Sequence, residues 1–309
     1  MSELKIAVGD RLETKFLLSG RVAIAGFDVE MVNPGPAPAP IFPDMVTTLP
    51  YDIGELTIAN FIIARDQGVP IVGLPVFPNV FFPLTGVTVN RRSGIGAPAD
   101  LAGKRVGVPL GFASNPAVWL RGILEHHHGV PADSIVWVEG ERDSLAGVPY
   151  PRPARFKREQ RSDLDALLSA GEIDALVVAG GNAALAGDVA LLLDDPYPAL
   201  DAYVAASGAF PINTMLVMKE ASAAANPGLA SAVVTASHRA RAIYDAEEPD
   251  DAVHQGLRVG ALRKAGHFPR AHGLDVHGRS VEVLVGYLLE QGLIRKAWEL
   301  ADLFVKGSS

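Results

Sequence analysis

Apolar and polar positions alternate from Lys5 to Gly9 and again from Phe27 to Val32, and the first run stops at Gly9-Asp10. A period of two ending in polar residues predicts strands that present Asp10 and Arg11 at a carboxyl edge. Between them, Thr14 to Ser19 fits a short helix. Pro34 to Pro43 cannot be one, because each proline lacks an amide donor and fixes φ, so it reads as an exposed loop. From Asp52 to Arg65, apolar residues at Ile53, Leu56, Ile58, Phe61 and Ile62 before Gly68 predict a helix with Glu55 in its first turn. Strands follow at Ile71 to Val76 and Gly86 to Asn90. The pattern then predicts strand Arg105 to Val108, helix Pro116 to His127, strand Ile135 to Val138, helix Leu164 to Ala170 and strand Ala175 to Val178. Pro149 to Arg161, basic and proline-containing, reads as a solvated loop. A strand at Pro211 to Lys219 and helices at Leu229 to Tyr244 and Val281 to Leu289 complete the chain.

Strands alternating with helices predict an α/β protein with parallel-biased sheets covered on both faces. A chain of 309 residues suits two such units. Pro98 to Pro109 reads as turn then strand, and Ser114-Asn115-Pro116 follows as a helix start. That unit resembles the opening of the second lobe in a two-lobed, type II periplasmic-binding-protein-like fold with two crossover hinge strands. The expected lobes are 1–90 plus 206–309, and 91–205, with crossings near Asn90 and Phe210. Two crossings make a hinge, and the ligand lies between the lobes.

Composition narrows the function. The net charge is −8, which leaves no basic surface for phosphate backbones, so nucleic acid is not an expected partner. The best candidate membrane span, Ile173 to Leu193, is interrupted by Gly180, Gly181, Asn182 and Asp188, so no membrane association is expected. With no cysteine, disulfides, thiolate metal sites and thiol nucleophiles are excluded. Met1-Ser2-Glu3-Leu4-Lys5-Ile6 leads directly into a strand, which predicts a cytoplasmic protein. An acidic chain of this size also predicts a homodimer.

Several segments together resemble the 4,5-dihydroxyphthalate decarboxylase family, cytoplasmic enzymes on a type II binding-protein fold. They are Gly9-Asp10, Ala64-Arg65-Asp66-Gln67-Gly68, Pro75-Val76-Phe77-Pro78, the stretch from Ala117 to Leu124, Gly129-Val130-Pro131, the stretch from Gly171 to Leu176, Phe210-Pro211-Ile212 and Glu290-Gln291-Gly292-Leu293. The resemblance implies loss of CO2 from a hydroxylated aromatic carboxylic acid without an organic cofactor. Two positions depart from the family pattern. Where the family carries an Arg-His pair, this chain has Phe82-Pro83-Leu84, and where it carries a histidine, this chain has Asn213-Thr214-Met215. Those departures predict a less anionic ligand.

Candidate residues follow from strand ends and helix starts. Asp10 and Arg11 end the first strand, where clefts of open α/β sheets lie. Glu55 and Thr57 lie near a helix start. Ser114-Asn115-Pro116 combines cap residues with a first-turn proline, so helix amides there face an incoming anion. Arg121, farther along that helix, Phe82 and Thr85 near the departing segment, Asn182 in Gly180-Gly181-Asn182, and Asn213 with Thr214 complete the expected binding set. His272 and His277 bracket Gly273-Leu274-Asp275, read as a loop feeding the last helix and, by the resemblance, lying beside the cleft. The expected acid, or the group orienting it, is one of Asp10, Glu55, His272 and His277. His126-His127-His128 cannot converge on one ion from a helix, so no metal site is expected there, although carboxylates and histidines exist for a divalent ion. The alternative to a decarboxylase is a solute-binding protein that closes on a small aromatic or polar ligand without changing it. A third reading is another lyase of the same architecture.

Overall fold

The structure, a computed structural model, describes residues 4–178, 185–267 and 271–307. Its first part comprises β1 (Leu4–Ala7), α1 (Thr14–Leu18), β2 (Val29–Val32), β3 (Ile53–Thr57), α2 (Ile58–Asp66), β4 (Ile71–Gly73) and β5 (Asn79–Val80). The middle part runs through β6 (Val87–Asn90), β7 (Arg105–Val108), α3 (Asn115–His128), β8 (Val136–Glu139), β9 (Lys157–Gln160), α4 (Leu164–Ala170), β10 (Ala175–Val177) and β11 (Val189–Leu191). The chain returns through α5 (Tyr197–Ser207), β12 (Ile212–Lys219), α6 (Glu220–Ala225), α7 (Leu229–Glu247), β13 (Val253–His254), β14 (Leu257–Arg258), α8 (Val259–Lys264), α9 (Leu274–Glu290) and α10 (Leu300–Leu303).

Two mixed sheets result. In the first the order is β2-β1-β3-β12-β4, with β5 also on β12. β1 runs parallel to β2 and β3, while β12 is antiparallel to β3, β4 and β5. In the second the order is β11-β6-β10-β7-β8-β9, parallel from β10 to β9 and antiparallel at β6.

The structure corrects four sequence expectations. Asp52 to Arg65 is not one helix: Ile53–Thr57 is a strand between β1 and β12, and the helix starts at Ile58. A central strand buried on both faces lacks alternation, so its apolar residues blended with those of the following helix. Pro149 to Arg161 is not all loop, because Lys157–Gln160 adds a polar edge strand to β8, as charged sheet edges commonly do. The last helix begins at Leu274, so His277 lies on a helix and not in a loop. Val87–Asn90, expected to close the first lobe, pairs with β10 and β11, so the chain leaves the first sheet ahead of that strand.

Helix α3 ties the two halves together. Residues 115–124 are all buried, and the helix packs on both α2 and α9. The Trp119 indole donates to the Ile212 carbonyl at the start of β12 (3.0 Å), and Gln291 Nε2 donates to the Val118 carbonyl (3.0 Å). Contact is close enough that a Cβ at Gly122 would fall 2.2 Å from the Tyr287 ring, which is why this helix position has no side chain.

Candidate functional site

The carboxyl end of β1 and the middle of β3 meet at a buried ion pair. Glu55 is wholly inaccessible. Its Oε2 accepts from the Gly9 amide (3.1 Å) and Arg11 Nη1 (3.2 Å), and its Oε1 accepts from Arg11 Nη2 and the Thr214 hydroxyl, both at 2.5 Å. The carboxylate is thus held by a guanidinium fork and two further donors, the geometry that compensates a buried charge. Burial works against the Arg11 charge, but the adjacent Glu55 outweighs it and holds the guanidinium pKa above its ordinary value. Leu12 has φ of 50°, a left-handed conformation costly for a residue with a branched side chain. That turn separates Arg11, directed to Glu55, from Glu13, directed into the interior.

Thr57 shares a strand face with Glu55, two residues along, and lies opposite Thr214 in the ladder. It is 8% exposed and is the N-cap of α2, yet its hydroxyl makes no cap bond and has no hydrogen-bond partner. The α2 amide that a cap would serve, Ala59 N–H, donates instead to Asn115 Oδ1 (3.1 Å), at the start of α3. The Asn115 amide group donates to the Ile212 carbonyl (3.0 Å) and to Asn213 Oδ1 (3.3 Å). Ser114, the N-cap of α3, is buried and likewise makes no side-chain cap bond. The N-termini of α2 and α3 therefore meet where β12 begins, with Arg11, Glu55, Thr57, Ser114, Asn115, Asn213 and Thr214 gathered around them.

Other expected residues sit elsewhere. Asp10 is exposed at the rim, its Oδ2 accepting from Asn33 Nδ2 (2.9 Å). Phe82 is wholly buried and packs at 6.0 Å between centroids on Tyr203, and the Thr85 hydroxyl is bonded to the Phe82 and Gln255 carbonyls (2.7 and 2.8 Å), so both are structural. Arg121 is also interior. Its Nε donates to Gln291 Oε1 (2.7 Å), its Nη2 to the Phe112 carbonyl (2.7 Å), and it stacks 3.7 Å over the Phe112 ring, with burial pushing its pKa down to about 9. Asn182 lies outside the described residues.

His272 is buried, and its Nδ1 accepts from the Phe77 amide (3.1 Å). That bond assigns the ring proton to Nε2, which faces Glu13 Oε1 at 3.5 Å. Burial, then Arg241, His238 and His277, hold the ring well below the ordinary histidine pKa, so it is a neutral ring and not an imidazolium acid. His277 is buried with Nε2 at 3.1 Å from the Ala271 carbonyl and its ring 4.7 Å from that of Phe77. Neither histidine belongs to the cluster at β1, β3 and β12.

The sequence reading missed Glu13 and Arg241. Arg241 Nη2 donates to Glu13 Oε1 (2.7 Å) behind Arg11. Burial pushes the Glu13 carboxyl up to about 7 against the pull of Arg241. The charged run from Asp10 to Glu13 next to a short helix was the available signal, but nothing local distinguishes its buried carboxylate from its exposed one. Among the described residues, no three His, Asp or Glu side chains are arranged to hold a metal ion, and no helix is long and apolar enough to cross a membrane.

Residues 23–146 match the family described as NMT1/THI5 like. The chain is similar to a 4,5-dihydroxyphthalate decarboxylase of Comamonas testosteroni, 32% identical over 262 residues that cover 78% of this chain and 75% of that protein. It is also similar to a protein of the same name from Pseudomonas putida, 34% identical over 182 residues that cover 56% and 69% of the two chains. Among solved structures it resembles the alkanesulfonate-binding protein SsuA of Xanthomonas axonopodis pv. citri bound to MOPS, with a TM-score of 0.53, 15% identity and coverage of 99% and 98%. At that identity the likeness establishes the fold alone: the two-lobed, α/β periplasmic-binding-protein architecture.

Proposed function

The chain belongs to the 4,5-dihydroxyphthalate decarboxylase family, and on that premise we propose that it is a cytoplasmic carbon–carbon lyase that removes CO2 from a small hydroxylated aromatic carboxylate held between its two lobes. The observation that carries the reading is the cluster at the ends of β1 and β3 and the start of β12, where Glu55 neutralises Arg11 and hydroxyls stand beside two helix N-termini.

The chemistry suits such a site. In Ar–COO⁻ + H⁺ → Ar–H + CO2, the carbon–carbon pair returns to the ring, a ring hydroxyl supports the charge, and a proton closes the vacated carbon. Arg11 is already paired, so the reacting carboxylate meets mostly neutral donors and buried walls and leaves water behind without a strong new counter-charge. A strong cation there would hold the ground state more firmly than the transition state. The Thr57 and Ser114 hydroxyls and the first amides of α3 orient the substrate. Asp10, on the rim and open to solvent, relays the proton, while Glu55 stays fixed by its four donors.

The absence of the family's cationic pair at Phe82-Pro83-Leu84 favours a second reading, in which the protein binds and releases an unchanged ligand. Incubation with 4,5-dihydroxyphthalate and related hydroxybenzoates, followed by mass spectrometry, separates the two. The lyase reading expects loss of a carboxyl group from at least one of them. Return of every compound intact, together with a ligand-induced rise in Tm, contradicts it in favour of the binding protein.

A further inference from the structure

A threonine at an N-cap ordinarily accepts a hydrogen bond from the second or third amide of its own helix. Thr57 does not, although α2 is nine residues long and its second amide, Ala59 N–H, needs a partner. That partner comes from the start of α3, as Asn115 Oδ1 at 3.1 Å in a buried contact. Asn115 is held by its two other bonds, to the Ile212 carbonyl and Asn213 Oδ1, so its oxygen is fixed in the capping position. The consequence is a threonine hydroxyl more than nine-tenths buried and without a partner, on the strand face that carries Glu55. Buried polar groups are almost always satisfied, and an exception at a ligand site points to the ligand as the missing partner.

We propose that Asn115 caps α2 from the start of α3 and so reserves the Thr57 hydroxyl for the substrate, making Thr57 a specificity-determining contact and Asn115 a positioning residue. With Arg11 neutralised by Glu55 and the amino end of α2 one residue away, the hydroxyl donates to an acceptor: a carboxylate or phenolate oxygen of the aromatic acid. Where the Asn115 side chain is removed, Thr57 takes over the cap of its own helix, withdrawing its hydroxyl from the ligand. Capping of α2 and substrate recognition are thereby coupled. The identity of the ligand rests on the decarboxylase reading; the exchange of caps does not.

The test is a pair of measurements on the full chain. Thermal unfolding without ligand is compared for Thr57→Val, Asn115→Ala and the double variant. Thr57→Val alone leaves Tm unchanged, because the hydroxyl makes no protein bond, whereas in the Asn115→Ala background it lowers Tm by about 2 °C, the scale of a lost cap. Equal effects of Thr57→Val in both backgrounds overturn the cap exchange, whatever the substrate is. With 4,5-dihydroxyphthalate as the probe, Thr57→Val raises KM, or Kd if no turnover occurs, at least tenfold, and Thr57→Ser restores it. An unchanged constant for Thr57→Val overturns the recognition role. If the parent protein neither binds nor converts this probe, the comparison is made with whichever related hydroxybenzoate it does decarboxylate; failure with all of them overturns the decarboxylase reading and the recognition role together, while the stability comparison still decides the cap exchange.

Discussion

Replacing Arg11 by methionine tests the construction of the site at its centre. The variant removes two of the four hydrogen bonds to Glu55 and its only direct cationic partner among the described residues, leaving a wholly buried carboxylate with the Gly9 amide and the Thr214 hydroxyl. Breaking one side of a buried pair costs roughly 3–5 kcal/mol, because the stranded charge keeps its desolvation penalty. Glu55→Gln is milder, about 1–3 kcal/mol, since the Arg11 side chain is 18% exposed and can turn toward water, and the carboxamide oxygen still accepts one bond. In Arg11→Met/Glu55→Gln no charge is stranded, so the double variant loses less than the two singles together by about 2 kcal/mol. Urea unfolding read by far-ultraviolet dichroism and tryptophan fluorescence supplies the values, provided the two transitions coincide. An Arg11→Met loss below about 1 kcal/mol, or singles that add within roughly 0.5 kcal/mol, would refute the argument that this pair is a mutually dependent buried unit.

Other outcomes follow from neighbouring residues. With its carboxyl at about 7, Glu13 binds its proton more tightly folded than unfolded. Its contribution to stability is therefore level in acid, falls by about 3 kcal/mol as pH rises from the ordinary carboxylate range through 7, and is level again above. Glu13→Gln should match the parent near pH 4.5 and exceed it at pH 8; parallel stability curves across that interval would contradict the assignment. Gly122→Ala forces a methyl group against the Tyr287 ring between α3 and α9 and should cost about 1–3 kcal/mol in urea unfolding, with a neutral result showing that the two helices are not tightly seated. The exposed pair His126–Glu290, by contrast, should contribute less than about 1 kcal/mol when His126 is replaced by alanine, despite its 2.6 Å separation.

Much of the fold was legible where local rules and tertiary context agree. Arg105–Val108 and Leu164–Ala170 match their predicted bounds, and the start of α3 is marked by Ser114 and Pro116. β3 was not legible, because Ile53, Leu56 and Ile58 mimic helical spacing when a doubly buried strand runs directly into a helix. The site was read in part for the same reason. Strand ends and helix starts pointed to Arg11, Thr57, Ser114 and Asn115, but which polar side chain lies inside depends on partners far along the chain. Glu55 meets Thr214 across 159 positions, and Arg121 meets Gln291 across 170. The same blindness made His272 a candidate acid, whereas its bond from Phe77, 195 positions away, fixes it as a neutral interior ring.

Carbon–carbon cleavage with proton delivery to the ring is the central claim, and it is tested most directly by turnover of 4,5-dihydroxyphthalate in D2O. The account predicts one molecule of CO2 per molecule consumed and a dihydroxybenzoate carrying a single deuterium at the vacated position, with Arg11→Met slowed at least tenfold. Recovery of the diacid intact, from protein that demonstrably binds it, would contradict the account.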